Sequence, residues 1–256
     1  MSWRGRVRLL LAALLLPLSV HAGQPGPVSA TVSATATAMV TVLVDRGADL
    51  PFAEFEGDHV RAGIHRDLAL AMASRLGRAV HVQAAPRKRI GSLLREGHGH
   101  WACALLPEWL EQPVDWTQAF LPHAGVVVTR SDSPRPRTLA NLAGQPIGVV
   151  KGYAYPELER ALGTGFVRED AHNAKAVLQM LERGRMQHAS LNLQYLEYQL
   201  RHNAALPFLH PYLVTGAYET RCAVSKRSEV TAQQLDEVIR GLRADGTLAR
   251  ILQGYR

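Results

Sequence analysis

Cysteine is nearly absent from this chain: 256 residues carry only Cys103 and Cys222. Two such distant residues make no Cys-x-x-Cys pair, so a thiolate zinc site and a dithiol redox motif are both excluded. Aromatic residues are scarce at 6 %, and nowhere do they interleave with a dense Lys/Arg stripe. That argues against a nucleic-acid partner. Long apolar runs are missing too. The longest, Leu9 to Val20, falls short of the roughly 20 residues a bilayer demands.

What the N-terminus does contain is ordered. Arg4, Arg6 and Arg8 precede the apolar run, and Val20-His21-Ala22 closes it with small residues where a signal peptidase reads. This is the layout of a secretory signal peptide, with cleavage predicted after Ala22; a membrane anchor is the rival reading and is too short. No cysteine stands near the cleavage point to take a lipid. Loss of the three arginines lowers the formal net charge from +7 to +4. A mildly basic remainder argues weakly for small anionic ligands, and ordinary solvated charge is favoured over any polyanion partner. Residues 23–38 are rich in Ala, Ser, Thr, Gly and Pro and read as a flexible leader. Export into an oxidising compartment permits a Cys103–Cys222 disulfide, and two buried free thiols are the alternative.

From Met39 onward, short β-like runs alternate with helical ones. Strands are predicted at 40–44, 79–83, 101–106, 125–129, 146–150, 189–191 and 221–225. Helices are predicted at 67–76, after 86–89, at 156–162, from Asn173 to Gly184 and over 194–203. Another opens with a Thr231/Gln234 capping box, and a short one follows Asp245-Gly246-Thr247. The stretch 46–63 reads as a loop, and 131–137, with Pro134 and Pro136, as a boundary. Alternation of this kind implies an α/β class with mainly parallel sheets, split into two lobes. Ligands in such folds bind beyond the carboxyl ends of strands, which points to the loops near 45–63, 86–89, 105–116, 151–156 and 191–194.

Several of these stretches resemble one family. PFAEFEGDHVRAGIHRDLALAMASRLG (51–77), Gly148-Val149-Val150-Lys151-Gly152, Leu181-Glu182-Arg183-Gly184-Arg185 and Ala244-Asp245-Gly246-Thr247-Leu248 follow in order. Together they are similar to type II periplasmic solute-binding proteins of family 3, the polar amino-acid binders. The resemblance implies lobe one at 39–127 and 218–256, and lobe two at 128–217. A two-segment hinge would join them and a solute would bind between. It also implies that the strands holding Cys103 and Cys222 are neighbours, with free paired thiols the favoured state.

The departures bear on the ligand. After Pro107-Glu108 the family places an arginine for the ligand carboxylate; here stands Trp109. The second-lobe acids that hold a ligand amine are replaced by Gln187 and Asn192. Pro86-Arg87-Lys88-Arg89 and Gly152-Tyr153-Ala154-Tyr155 resemble a divergent branch of small stand-alone periplasmic proteins. On that resemblance Arg89 is expected to face the cleft and hold an anion bidentately. The ligand-binding candidates are Asp45, Phe52, Phe55, Arg89, Trp109, Gly152, Tyr153, Tyr155 and Asn192. The expected protein is a monomeric, non-enzymatic receptor that needs no cofactor or metal. It would pass a small polar, anionic solute to an inner-membrane transporter or sensor. Two alternatives stand beside it. One is a scaffold that has lost its solute. The other is a cyclohexadienyl-type dehydratase drawing on Asp45, Glu54, Asp67 or Glu108 for proton transfer.

Overall fold

The computed structural model describes residues 38–203, 206 and 208–256; the expected signal peptide and all but the end of the leader lie outside them. The β-branched run MVTVLVD forms β1 (Met39–Asp45), buried along most of its length. After β2 (Glu54–Glu56) and β3 (His59–Ala62), α1 (Ile64–Arg75) crosses back to β4 (Ala79–Ala85). Then α2 (Arg87–Glu96) leads to β5 (Trp101–Leu105). Both β4 and β5 pair with β1 in parallel.

The short β6 (Asp115–Trp116) and the long β7 (Leu121–Thr129) precede a second set of crossovers. This set comprises β8 (Pro146–Val150), α3 (Pro156–Leu162), β9 (Val167–Ala171), α4 (Ala174–Glu182), β10 (His188–Asn192) and α5 (Leu193–His202). The chain returns along β11 (Leu213–Val224) and ends in α6 (Ala232–Ala244) and α7 (Thr247–Gln253). The strand order is β2-β3-β4-β1-β5-β11-β7-β10-β8-β9, with β6 beside β11. Strands β4, β1 and β5 run parallel in one half and β10, β8 and β9 in the other, the antiparallel β2–β3 hairpin adds to one edge, and β11 and β7, antiparallel to their neighbours, lie in the middle.

Separate cores sit on the two halves. On one, Trp101, Met72, Phe120, Leu235, Ile239 and Leu242 close over β1 and β5. On the other, Val177, Leu181, Tyr195 and Leu196 pack on β7, β8 and β10. Each fully buried aliphatic side chain contributes about 1.5–3 kcal/mol. The spacing of Leu235, Ile239 and Leu242 therefore locks α6 to its sheet by one face.

Local chemistry sets the helix ends. Asn173 accepts the Ala176 N–H at 2.8 Å, and Thr231 and Gln234 cap one another reciprocally. Helix α1 begins three residues before the expected Asp67, and no side chain caps its start. Its first N–H groups, from Ile64 and His65, donate instead to the Pro51 and Phe52 carbonyls. The predicted loop 46–63 also holds the β2–β3 hairpin, turning at Gly57 with φ +60°. In the middle of the sheet β5 and β11 are antiparallel neighbours, and Cys103 is disulfide-bonded to Cys222. The expectation of free thiols is thereby corrected: the register at the β5–β11 bulge brings the two side chains face to face.

Candidate functional site

The carboxyl ends of β1, β8 and β10, the start of α2 and the middle of β7 converge on a cavity of about 160 Å³. Each element delivers a side chain for a local reason. Parallel pairing of β1 with β4 sets Asp45, the last residue of β1, opposite Ala85. Pro86, extended at ψ 135°, then turns the chain into α2, so Arg87 opens the helix beside Asp45. The buried residues of α2 include Ile90 and Leu94, and at a repeat of 3.6 residues position 87 shares their face. Arg87 accordingly points inward and lines the cavity.

Arg89 does not line the cavity. It is exposed, two residues and about 200° further round the helix. The expectation that Arg89 faces the cleft is corrected in favour of Arg87.

Two aromatic faces hold the Arg87 guanidinium. Its Cζ lies 5.5 Å from the Trp109 ring centre and 5.2 Å from that of Tyr153. Contacts of this kind contribute about 0.5–2 kcal/mol each, more when desolvated. Asp45 Oδ2 approaches Arg87 Nη1 only to 3.9 Å, and both side chains are nearly buried, at 11 % and 13 % exposure. The other oxygen, Asp45 Oδ1, accepts the Gly47 N–H at 2.8 Å. No hydrogen bond to the guanidinium forms among the described residues. Burial, and then the neighbouring charge of Asp45, push the Tyr153 hydroxyl well above its usual pKa.

On the opposite wall, His123 stacks on Tyr218 at 5.0 Å and meets the edge of Trp109 at 5.4 Å. Its tautomer follows from Asn192. The Asn192 Oδ1 caps α5 by accepting the Gln194 and Tyr195 N–H groups at 2.8 and 3.4 Å. Nδ2 is thereby turned toward His123 Nδ1, 3.0 Å away. An amide nitrogen only donates, so His123 Nδ1 accepts and the ring proton sits on Nε2. Burial first, then the Arg87 charge, hold the His123 pKa down at about 4. The same two causes hold His65, stacked on Phe52 at 5.6 Å, at about 4. Both rings are neutral near pH 7.

Among the described residues, four buried side-chain polar atoms lack a hydrogen-bond partner: Asp45 Oδ2, Trp101 Nε1, Trp109 Nε1 and the Tyr195 hydroxyl. All four residues line this cavity. Unpartnered groups in an otherwise satisfied interior cost about 1–3 kcal/mol each, so the walls of this cavity carry uncompensated polarity.

Of the residues expected from sequence, the fold brings Asp45, Phe52, Trp109, Tyr153, Tyr155 and Asn192 together around the cavity. Phe55 packs instead with Val44, Ala53 and Val60 beneath the hairpin. Gly152, at φ +85°, forms the turn after β8 against the Lys88 side chain and does not line the cavity. Of the four acids proposed for proton transfer, only Asp45 lines it. Glu54 pairs with Arg61, Asp67 accepts from the Tyr255 hydroxyl, and Glu108 is exposed. Sequence reasoning missed Arg87, His65, His123 and Tyr218. For Arg87 the signal was present in the spacing to Ile90 and Leu94.

A family model for the bacterial extracellular solute-binding proteins, family 3, matches residues 41–256. The chain belongs to that family. No curated protein matches it by sequence. Solved family-type structures share its two-lobed fold at low identity. The GluR0 ligand-binding core in complex with L-glutamate superposes with a TM-score of 0.72 at 15 % identity, over 86 % of this chain and 99 % of that one. An uptake-transporter binding protein from Streptococcus pneumoniae with bound histidine gives 0.70 at 18 % identity, over 85 % and 92 %. The ancestral amino-acid-binding protein AncCDT-1, a precursor of cyclohexadienyl dehydratase, gives 0.70 at 15 % identity, over 85 % and 94 %. At such identities the likeness establishes the fold of this family-3 protein and leaves its ligand to the chemistry of the cavity.

Proposed function

We propose that this family-3 protein is a periplasmic receptor that captures a small polar solute through an anionic group and passes it to a membrane transporter or sensor. The observation that carries the reading is Arg87. It is a nearly buried guanidinium, stacked between Trp109 and Tyr153, with no hydrogen bond to it among the described residues and an adjoining cavity. A planar fork of five donors fixed by stacking matches a carboxylate in two-pronged geometry. Trp109, standing where relatives carry the arginine, then serves as the support for a guanidinium supplied from the start of α2. Neighbours of known structure bind arginine, glutamate or histidine, which favours a small solute over a macromolecular partner.

We take the lobes as 39–127 with 218–256, and 128–217, hinged on β7 and β11. Arg87 and Trp109 would come from one lobe and Tyr153 from the other, so closure assembles the stack. We read the protein as a non-catalytic monomer. Proton transfer of the dehydratase kind needs a placed acid or base, and of the four carboxylates considered for it Asp45 alone reaches the cavity, beside Arg87. A thermal-shift and calorimetric screen of small organic anions tests the reading, since a ligand of the native state raises the melting temperature. Arg87→Ala is expected to weaken any hit by about thirtyfold to several thousandfold, as loss of a buried charge-assisted pair costs about 2–5 kcal/mol. Arg89→Ala should leave affinity unchanged. Retention of full affinity by Arg87→Ala would refute the assignment.

A further inference from the structure

Three acids line the cavity, and one of them is uncommitted. Asp45 gives Oδ1 to the Gly47 N–H and seals Oδ2 beside Arg87, and Asp49 accepts the Leu50 N–H. Glu157, in the first turn of α3, has neither a side-chain hydrogen bond nor an ion pair among the described residues. An acid near a helix N-terminus is favourable in itself, and Glu159 on the same turn serves that purpose in solvent. Glu157 differs: it is only partly exposed and hangs over the sheet.

A gap in the sheet receives it. Gly216 of β11 pairs with Gly125 of β7, which pairs in turn with Asn192 of β10, so two neighbouring positions of one row lack side chains. A Cβ on Gly216 would stand 3.2 Å from Glu157 Cγ and 3.4 Å from its Oε1. Over Gly125 stands the hydroxyl of Thr215, the bulge residue of β11, 2.4 Å from where a Cβ would be. Ser190, two residues before Asn192 on β10, faces the same side. The Ser190 and Thr215 hydroxyls, like the Glu157 carboxylate, line the cavity without a side-chain hydrogen bond among the described residues. Unlike the Trp101 and Trp109 N–H groups, they are not sealed off.

Resting on the receptor reading above, we infer that Glu157, with Ser190 and Thr215, forms a second solute subsite, which takes an ammonium or guanidinium at the end remote from the group on Arg87. An ionised carboxylate only accepts, and two hydroxyls add lone pairs beside it, so the three donors of a primary ammonium find partners there. The wall between the two subsites is long. From the Arg87 guanidinium it runs to Trp109 at 5.5 Å, then to Tyr218, 5.8 Å from Trp109. The Tyr218 ring in turn lies against Gly216, with Cε1 3.4 Å from its Cβ position. Two aromatic rings therefore line the path from Arg87 to Glu157, which suits a solute whose charged ends are several bonds apart. The acceptor also differs in place from the second-lobe acids that the family resemblance assigns to a ligand amine, where this chain has Gln187 and Asn192.

Calorimetry on the full mature protein with matched acids tests this directly. The pairs are 4-aminobutanoate and butanoate, 5-aminopentanoate and pentanoate, and 6-aminohexanoate and hexanoate. In at least one pair the amino-bearing acid is expected to bind about tenfold or more tightly than its plain partner, the scale of a close charge pair. Glu157→Gln, which keeps the side chain's shape and removes its charge, should bring that ratio down to about one. Thr215→Val, which removes a hydroxyl at nearly constant shape, is a second variant and should lower the ratio as well. Glu159→Gln, exposed on the same turn, should leave it as it is. Plain acids binding as tightly as their partners, or a ratio that survives both Glu157→Gln and Thr215→Val, would overturn the subsite and leave the receptor reading in place. Failure of every compound to bind would overturn both.

Discussion

Reduction of the Cys103–Cys222 bond should destabilise the protein by a predictable amount. The bond joins residues 119 apart, so it restrains almost half the chain in the unfolded state. Chain-entropy reasoning puts the loss for a loop of that length at about 5 kcal/mol, within the roughly 2–5 kcal/mol seen when native disulfides are removed. For a domain of this size, each kcal/mol moves the melting temperature by about 2–4 °C. Melting with and without dithiothreitol should therefore differ by about 10 °C or more. Thiol titration under denaturing conditions checks that the starting material is fully oxidised. Reduced wild-type protein is the cleanest comparison, because both sulfurs remain and only the link is lost. The double variant Cys103→Ala/Cys222→Ala adds a packing loss, since Cys222 is fully buried. Alanine is preferred to serine there because a buried hydroxyl without a partner costs about 1–3 kcal/mol. A shift below about 3 °C on reduction of verified disulfide would refute the reasoning.

Three further outcomes follow from individual sites. His65 and His123 have pKa values depressed to about 4 by burial and by Arg87, so the unfolded chain binds more protons between about pH 6.5 and 4. Stability is therefore full above pH 6.5 and falls as pH drops through that window, by about 1–3 kcal/mol per ring, and His65→Gln should flatten the urea-midpoint profile there. Thr231→Ala removes one side of the reciprocal cap on α6 and should lower unfolding free energy by about 1 kcal/mol in urea titration. Gly63→Ala should cost about 3 kcal/mol or more and depress expression. The site has φ +115°, and an added Cβ would stand 2.4 Å from the Phe52 carbonyl oxygen.

Legibility in the sequence tracked how local the physics was. The strand PIGVV, the helix opened by Pro156 and the caps at Asn173 and Thr231 all depend on neighbours within a few residues, and each stands where the residues predict. Strand β9, VREDA, escaped because an edge strand with four of five residues at least partly exposed is as polar as a loop. The first eight residues of β11 escaped for a similar reason. Their partner is β7, roughly ninety residues earlier, and their alternation is only half buried. At the site, residue types were readable but directions were not. Choosing Arg87 over Arg89 needed the helix phase, set by Ile90 and Leu94. The proton on His123 needed Asn192, whose amide orientation is fixed by the start of α5, sixty-nine residues away along the chain.

Strand β11 changes partners midway. Leu213 to Thr220 are bonded to β7, whereas Arg221 to Val224 are bonded to β5 and β6. Its far portion is covalently tethered at Cys222, next to the bulge against β5, while its near portion contains Gly216 and a second slip in register with no such tether. A ribbon clamped at one end and loosened near the other bends unevenly, so any rotation of the two sheets concentrates in residues 214–220. Amide exchange there should respond to a solute before the tethered segment does. In the closure of the two proposed lobes the crosslink would act as a bearing, fixing where the swing begins, next to Ala104 in the cavity lining.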